Sequence, residues 1–376
     1  MGTNKIPYSI TNLLKQRIEK HLYRNLKTSY PAIDFSSNDY LGFSTIGLLN
    51  QEINTLYSSQ KTGSTGSRLI SGNSILFQET ETQISEFHQA DAALLFNSGY
   101  DANLGLLSSV PQKGDLILSD ELIHASLIDG IRLSYATHYK FKHNSISALE
   151  ALLTRHKDSF NEIYIVVESI YSMDGDSAPL KNYAELCNKF EAHLIVDEAH
   201  AIGIFGDNGK GLCHSMKIED KCFARIYTYG KAMGCHGAAI VGSEELKQYL
   251  INFSRSFIYT TAMPEHSLLA IIAAYQLLKS TNQIDLLKNN IFYFNSKLNY
   301  SKKFIESNSA IHCKINVGNE QVQKLEETCS INNLFVKSIK SPTVKVNQER
   351  IRICLHAFNT KEQIDLLFDV LEQKHK

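Results

Sequence analysis

Two short runs of mainly apolar residues, each followed by polar groups, decide the fold of this chain: HLIVDEAH at residues 193–200 and ARIYTYGKAMG at residues 224–234. Their apolar residues are largely consecutive and do not alternate with polar ones. This pattern predicts strands buried on both faces, as in a parallel sheet covered by helices. We therefore predict an α/β fold with a mostly parallel sheet.

Five further segments extend the predicted sheet to seven strands. They are short and alternate with helix-like stretches: AALLF from Ala92, DLILS from Asp115, THYKF from Thr137, EIYIVVES from Glu162 and AAIVG from Ala238. The stretches 145–156 and 182–190 carry apolar residues at spacings of three and four, which is typical of helices that cross between parallel strands.

The pattern changes after Pro264, where two long helical segments precede short strands and a last helix. We predict an amphipathic helix and extended arm over residues 1–44, a large domain over 45–277 and a smaller α+β domain over 278–376. A chain of 376 residues is long enough for two or three packed units.

Composition excludes several classes of function. Lys and Arg number 38 and Asp and Glu 39, without a long run of one sign, so a nucleic-acid partner is not expected. No segment approaches the roughly 20 apolar residues of a membrane span, and no signal peptide is recognisable, so we expect a cytoplasmic protein. The 7 cysteines form no CxxC pair, so we expect no metal site.

Polar residues follow both decisive strands. Asp197 ends the strand HLIVD and His200 comes soon after, at the edge where ligands of open α/β sheets gather. Lys231 follows ARIYT among small residues, and a buried lysine has a lowered pKa and can form a Schiff base. Taken singly, each residue also has a purely structural explanation: a capping aspartate, a packing histidine, or an exposed lysine in a glycine-rich turn.

Two earlier loops add to this set. Asn97, Ser98 and Gly99 lie between a strand and a helix in FNSGYDANLGLL, where free backbone amides suit a phosphate. His124 follows the strand DLILS in DELIHASL; a lone histidine in such a loop is more often structural than catalytic. Together, a phosphate cradle, a strand-end aspartate, a lysine and two histidines indicate a site for pyridoxal 5'-phosphate.

The motifs also carry a resemblance to a known family. The chain resembles the α-oxoamine synthases, fold type I pyridoxal-phosphate enzymes, over nearly its whole length. The resemblance rests on SSNDYLGF from Ser36, GSTGSRLISGNS, FNSGYDANLGLL, DELIHASL, ESIYSMDGDSAPL, VDEAHAIGIFG, TYGKAMG, FIYTTAMP and SPTVKVNQERIRICLHAFNT. It implies a fold type I transferase with a seven-stranded sheet.

The resemblance implies roles for four residues around the cofactor ring. Lys231 in TYGKAMG matches the lysine that holds the cofactor covalently and later moves the Cα proton. Asp197 matches the aspartate paired with the pyridine nitrogen, and a carboxylate there keeps that nitrogen charged. His200 matches a histidine near the phenolic oxygen, and His124 matches the one stacked on the ring.

Further positions match cofactor-binding and substrate-binding residues of the family. For the cofactor these are Ser98, Gly99, Tyr100 and Thr228 at the phosphate, Ser172 near the phenolic oxygen, and Thr260, which is expected to reach the phosphate of the partner chain in a homodimer. For the substrates they are Arg352, which matches the arginine that grips the amino-acid carboxylate, Asn38 and Ser67.

The activity implied is condensation of an amino acid with an acyl thioester, with loss of carbon dioxide. We expect L-alanine and a pimeloyl thioester, carried by coenzyme A or by an acyl carrier protein. Glycine-using relatives have threonine where Ser67 stands, and the missing methyl group leaves room for alanine. Glycine with acetyl-CoA or succinyl-CoA and serine with a long acyl chain remain open. His236 and the short N-terminal arm depart from the commoner pattern and bear on acyl specificity.

Two other classes of function are weighed. GSTGSR superficially suggests a nucleotide-binding oxidoreductase, but no buried strand precedes it, as the dinucleotide fingerprint requires. A catalytically dead relative is disfavoured by the intact set of Lys231, Asp197, His200, His124 and Arg352.

Overall fold

A computed structural model describes residues 6–26, 28–56, 61–298 and 303–372 of the chain. The strands are β1 Ile33–Asp34, β2 Ala92–Phe96, β3 Leu116–Asp120, β4 Thr137–Phe141, β5 Ile163–Glu168, β6 His193–Asp197, β7 Cys222–Thr228, β8 Ala238–Gly242, β9 Ile311–Ile315, β10 Leu334–Phe335, β11 Lys337–Ile339 and β12 Arg350–Cys354. The helices are α1 Tyr8–Glu19, α2 Leu48–Leu56, α3 Ile75–Phe87, α4 Gly99–Ser109, α5 Ala125–Leu133, α6 Ile146–His156, α7 Leu180–Phe190, α8 Leu212–Met216, α9 Glu244–Phe253, α10 Arg255–Ile258, α11 Glu265–Ser280, α12 Gln283–Lys297, α13 Asn319–Ile331 and α14 Lys361–Leu371.

The central sheet has seven strands in the order β2-β8-β7-β6-β5-β3-β4. Adjacent strands from β7 to β4 are parallel, whereas β8 runs antiparallel to its two neighbours, β2 and β7. The structure thus confirms the predicted α/β fold and each of the seven predicted strands. β4 differs in one respect: it lies at the edge of the sheet and is mostly exposed, so its apolar character does not reflect burial on both faces.

Apolar cores cover both faces of this sheet. Along β2, Ala93 and Leu95 belong to one core, while Leu94 and Phe96 belong to the other. Such alternation follows from the period of two in a strand. Because apolar cores cover both faces of the inner strands, a ligand site is expected at the strand ends.

The C-terminal part contains an antiparallel sheet in the order β11-β12-β9. β1, from the N-terminal arm, pairs in parallel with β10. The arm is therefore tied to the C-terminal part of the chain. The exact domain boundaries at 44 and 277 remain a prediction.

Helix α1 lies within the predicted N-terminal segment, and none of its residues is buried. No helix within the described ranges is both long enough and apolar enough to cross a membrane.

Candidate active site

Three neighbouring strands end side by side, and the polar residues at their carboxyl ends lie close together. Glu168 ends β5, Asp197 ends β6 and Thr228 ends β7. Glu168 is paired in register with Asp197, and Asp197 with Ile226. All three polar residues are buried. The parallel topology therefore places two carboxyl groups and a hydroxyl at the carboxyl end of the sheet, as expected for a ligand site.

Asp197 is held by two hydrogen bonds. Its Oδ1 accepts from the amide of Ala199 at 2.9 Å, and its Oδ2 accepts from Asn103 Nδ2 at 2.8 Å. Asn103 Nδ2 also donates to Ser126 Oγ at 2.9 Å, and Ser126 Oγ lies 2.8 Å from His124 Nδ1. A continuous chain of polar contacts thus connects Asp197 with His124. Sequence reasoning missed Asn103, because nothing in a helix sequence shows which side chain points to the end of a distant strand.

Lys231 lies in the turn after β7, close enough to Asp197 and Glu168 to interact with both charges. Burial lowers the pKa of Lys231, although the two carboxyl groups act in the opposite direction and Arg352 adds to the lowering. A lysine with a lowered pKa has more of the neutral amine that nucleophilic or base chemistry requires. The structure therefore gives Lys231 the environment expected from the sequence.

Glu168 is a second buried carboxyl group that sequence reasoning missed. Its side chain is almost fully buried, and among the described residues its Oε1 has no hydrogen-bond partner. Burial and the neighbouring charge of Asp197 raise the pKa of Glu168 well above the ordinary value. The protonated, neutral form of this glutamate is therefore favoured relative to a carboxyl group in water. Its place at the end of a buried strand was a signal that could have identified it.

A second cluster surrounds His200. The Tyr40 hydroxyl lies 2.8 Å from His200 Nδ1 and donates to Asn38 Oδ1 at 3.0 Å. Burial lowers the pKa of His200 well below the ordinary value, and the charges of Lys231 and Arg352 add to this effect. His200 is therefore neutral near pH 7. Tyr40 was not identified from the sequence, although it lies inside the motif SSNDYLGF.

Arg352, in β12, joins this cluster from the smaller sheet. Its Nη2 donates to Asn38 Oδ1 at 3.1 Å, and its Nε donates to the carbonyl of Ser172 at 2.8 Å. The residue is 7 % exposed, and no carboxylate within the described ranges forms an ion pair with it. A buried guanidinium without a carboxylate partner is poised to bind an anionic ligand group.

Ion pairs hold the loop that carries Ser172 on two sides. Arg350 in β12 forms an ion pair with Asp174. On the other side, His143 lies 3.0 Å from Asp120 and 2.8 Å from Asp176. Burial alone lowers the pKa of His143, but hydrogen bonds and charge interactions with these two aspartates raise it to about 10. His143 is therefore protonated near pH 7 and links the end of β3 to the Ser172 loop.

The start of α4 is where the sequence predicts a phosphate cradle. Ser98 caps the helix, and its Oγ accepts from the amide of Asp101. The first amides of a helix, here those of Gly99 and Tyr100, have no partner within the helix. A Cβ on Gly99 would lie 2.3 Å from Thr228 Cγ2, so only glycine fits this close approach. In the part of the chain that the structure describes, the buried Thr228 Oγ1 has no hydrogen-bond partner.

Two predicted residues, Thr260 and Ser67, lie in segments that hydrogen bonds connect to this cradle. Thr260 Oγ1 accepts from Asn97 Nδ2 of its own chain at 3.0 Å. The loop with Ser67 is held to the Thr260 segment by a hydrogen bond from the Ala262 amide to the Gly66 carbonyl at 3.0 Å. The reach of Thr260 to a partner chain and the contact of Ser67 with the amino-acid substrate stay predictions.

These residues fit pyridoxal phosphate. Free amides and the unpartnered Thr228 hydroxyl suit its phosphate, Asp197 suits its ring nitrogen, and Lys231 is the amine that can bind its aldehyde. His124 lies beside this space and is only partly buried. This partial burial lowers its pKa, the charge of Asp197 opposes the lowering, and the charge of Lys231 adds to it.

Comparison with known proteins agrees with this geometry. The family model for class I and II aminotransferases matches residues 30–371. The chain is 39 % identical to the 8-amino-7-oxononanoate synthase of Emericella nidulans, over 96 % of this chain and 94 % of that protein. It is 38 % identical to a putative enzyme of the same name from Methanocaldococcus jannaschii, over 94 % of both chains.

Solved structures are similar over most of the chain. The 8-amino-7-oxononanoate synthase of Francisella tularensis superposes with a TM-score of 0.76 and 30 % identity, over 91 % of this chain and 97 % of that one. A serine palmitoyltransferase variant from S. paucimobilis, solved with pyridoxal phosphate and myriocin, gives a TM-score of 0.85 at 23 % identity, over 97 % and 96 % of the two chains. This second likeness shows the shared fold alone.

Proposed function

The chain belongs to the class I and II aminotransferase family, and within it to the pyridoxal-phosphate-dependent α-oxoamine synthases, and on that premise we propose that it joins L-alanine to a pimeloyl thioester. The products of the proposed reaction are 8-amino-7-oxononanoate, carbon dioxide and the free thiol carrier, and biotin synthesis is the pathway that consumes the first of these. Relatives of that name at 38 % to 39 % identity over most of the chain support the proposal.

The observation that carries the proposal is Arg352. Its guanidinium is buried, has no carboxylate partner among the residues that the structure describes, and lies within the charge environment of Lys231. A planar guanidinium binds a carboxylate through two parallel hydrogen bonds. Asn38 and the Ser172 carbonyl hold it in place, so Arg352 would orient the carboxylate of the amino acid next to the reactive amine.

When bound, pyridoxal phosphate supplies the electron sink that stabilises a carbanion at the Cα of the amino acid. Asp197, fixed by Ala199 and Asn103, would keep the ring nitrogen protonated. Lys231, whose pKa is lowered by burial, would take the Cα proton as the general base. His200 is neutral, so it adds no further positive charge beside Lys231.

The experiment uses the holoenzyme. Its absorption spectrum is followed during titration with L-alanine, glycine and L-serine, and acetyl-, succinyl-, pimeloyl- or palmitoyl-CoA is then added. We expect alanine with the pimeloyl thioester to give the fastest release of carbon dioxide and a product whose mass matches 8-amino-7-oxononanoate. Faster turnover with glycine or serine, or with another acyl group, would replace the proposal by the corresponding sister activity.

The variant Arg352→Lys tests whether the Arg352 guanidinium binds the carboxylate of the amino acid. It keeps a positive charge but cannot form the bidentate pair. We expect the KM for alanine to rise while the cofactor spectrum stays unchanged. An unchanged KM for alanine would mean that Arg352 does not bind the substrate carboxylate.

A further inference from the structure

Two cysteines outside the site form a close pair. Cys213, in α8, and Cys222, at the start of β7, have their sulfur atoms 3.8 Å apart. A disulfide bond is about 2.0 Å long, so the sulfur atoms need to approach by about 1.8 Å to form one. The two residues are nine positions apart in the sequence.

The pair is asymmetric in exposure. Cys213 is fully buried, whereas Cys222 is partly exposed and also lies 3.3 Å from the carbonyl of Ile218. Burial raises the pKa of the Cys213 thiol well above its ordinary value, and the Cys222 hydrogen bond and the Glu198 carboxylate add to this effect. Burial likewise raises the pKa of the nearby Cys187 to about 12. Of these three thiols, Cys222 is the one that an oxidant in solution can reach.

We propose that Cys222 and Cys213 are a reversible redox pair, in which a peroxide oxidises Cys222 and Cys213 then closes a disulfide. In the first step the Cys222 sulfur attacks a peroxide oxygen, the O–O bond breaks, and a sulfenic acid and one water are formed. In the second step the Cys213 sulfur attacks the Cys222 sulfur, the S–O bond breaks, and the hydroxyl leaves as water with the Cys213 proton. The two thiols lose two electrons, which reduce the peroxide.

In a reducing compartment, cysteine pairs of this kind are oxidised only transiently. The disulfide bond would join α8 to β7 beside Glu198. The Glu198 carboxylate accepts a hydrogen bond from the amide of Cys213 at 2.6 Å. Glu198 directly follows Asp197 in the sequence. The proposal does not rest on the enzymatic function, since both cysteines lie outside the residues that carry it.

The test is peptide mapping of the holoenzyme after brief treatment with hydrogen peroxide. Free thiols are blocked with iodoacetamide under denaturing conditions, without reductant, and the protein is cut with trypsin. Lys217 and Lys221 lie between the two cysteines, so trypsin gives two peptides that only a disulfide holds together. We expect the joined peptides, lighter by two hydrogens than their sum, and their separation by dithiothreitol.

Three single variants sharpen the result. In Cys213→Ser we expect the Cys222 sulfenic acid to persist and react with dimedone, while Cys222→Ser should give neither product. Cys187→Ser is the matched control and should form the bond as the unaltered protein does. Recovery of both cysteines fully alkylated after peroxide, or a bond between Cys222 and Cys187, would overturn the proposal. Mapping of the unaltered protein decides this even if a variant fails to fold.

Discussion

Replacement of Gly99 by alanine tests whether the start of α4 is the phosphate site. The new Cβ would lie 2.3 Å from Thr228 Cγ2 and 3.4 Å from Thr228 Cβ. The first separation is shorter than any real contact of this kind, so Thr228 must move. Thr228 ends a buried strand and is 8 % exposed, so a shift of its side chain also moves its hydroxyl, which has no partner among the described residues.

The size of the effect follows from the lost contact. A hydrogen bond to a charged group contributes about 1.5 to 3 kcal/mol. Loss of one such bond to the cofactor phosphate raises the Kd of pyridoxal phosphate by roughly 10- to 150-fold. Gly99 has an ordinary negative φ, so alanine brings no backbone strain there and the contact with Thr228 is the source of the loss.

Thr228→Ser provides the matched control, because it removes the methyl group that the new Cβ meets but keeps the hydroxyl. We expect Thr228→Ser alone to change the Kd little and the double variant Gly99→Ala, Thr228→Ser to recover most of the lost affinity. The assay is equilibrium titration of each apoenzyme with pyridoxal phosphate. If Gly99→Ala binds as tightly as the unaltered protein, or the double variant as weakly as Gly99→Ala, the cradle is assigned to the wrong place.

Three further predictions concern the partner chain, the amino acid and the Ser172 loop. If Thr260 completes the active site of a partner chain, mixing Lys231→Ala and Thr260→Ala proteins should restore activity. Hybrid dimers would then have one site that carries both substitutions and one that carries neither. No recovery of activity after confirmed subunit exchange would show that the sites are not shared. Ser67→Thr should lower kcat/KM for alanine relative to glycine by roughly 10- to 200-fold, since one methyl group in a pocket has about that effect. The ratio is measured by kinetics with one fixed acyl thioester. An unchanged ratio would mean that Ser67 does not line the amino-acid pocket. His143→Gln should lower the free energy of unfolding by about 3 kcal/mol. This value is at the low end of the range for breaking a buried ion pair, because 21 % of the His143 side chain is exposed. The pKa of His143 is raised from 6.5 to about 10, so its stabilisation is complete below pH 6.5 and is lost as the pH rises towards 10. Urea unfolding across this range should show the difference between the two proteins narrowing, and a constant difference would contradict the charged His143.

Local pattern was enough to predict the strands and the main catalytic candidates. Consecutive apolar residues identify buried strands, and a polar residue at or just after the end of such a strand lies where ligands bind. This rule identified Asp197 and Lys231. The same rule applies to Glu168 at the end of β5, but only the structure shows that it lies buried next to Asp197. The roles of Arg352, Thr260 and Ser67 came from family resemblance, because their own surroundings carry no local signal.

The sequence by itself determined which segments are strands and helices, since apolar periodicity and helix caps depend on near neighbours in the chain. Only the tertiary structure decided which distant groups meet. It paired β1 with β10, joined Asn103 to Asp197, and set Arg352 beside Asn38, positions 314 residues apart. It also set the electrostatics of the site, raising the pKa of Glu168, lowering the pKa of His200 and making His143 positive. The physical reason is that desolvation and charge interactions depend on distances in space, which a one-dimensional pattern does not contain.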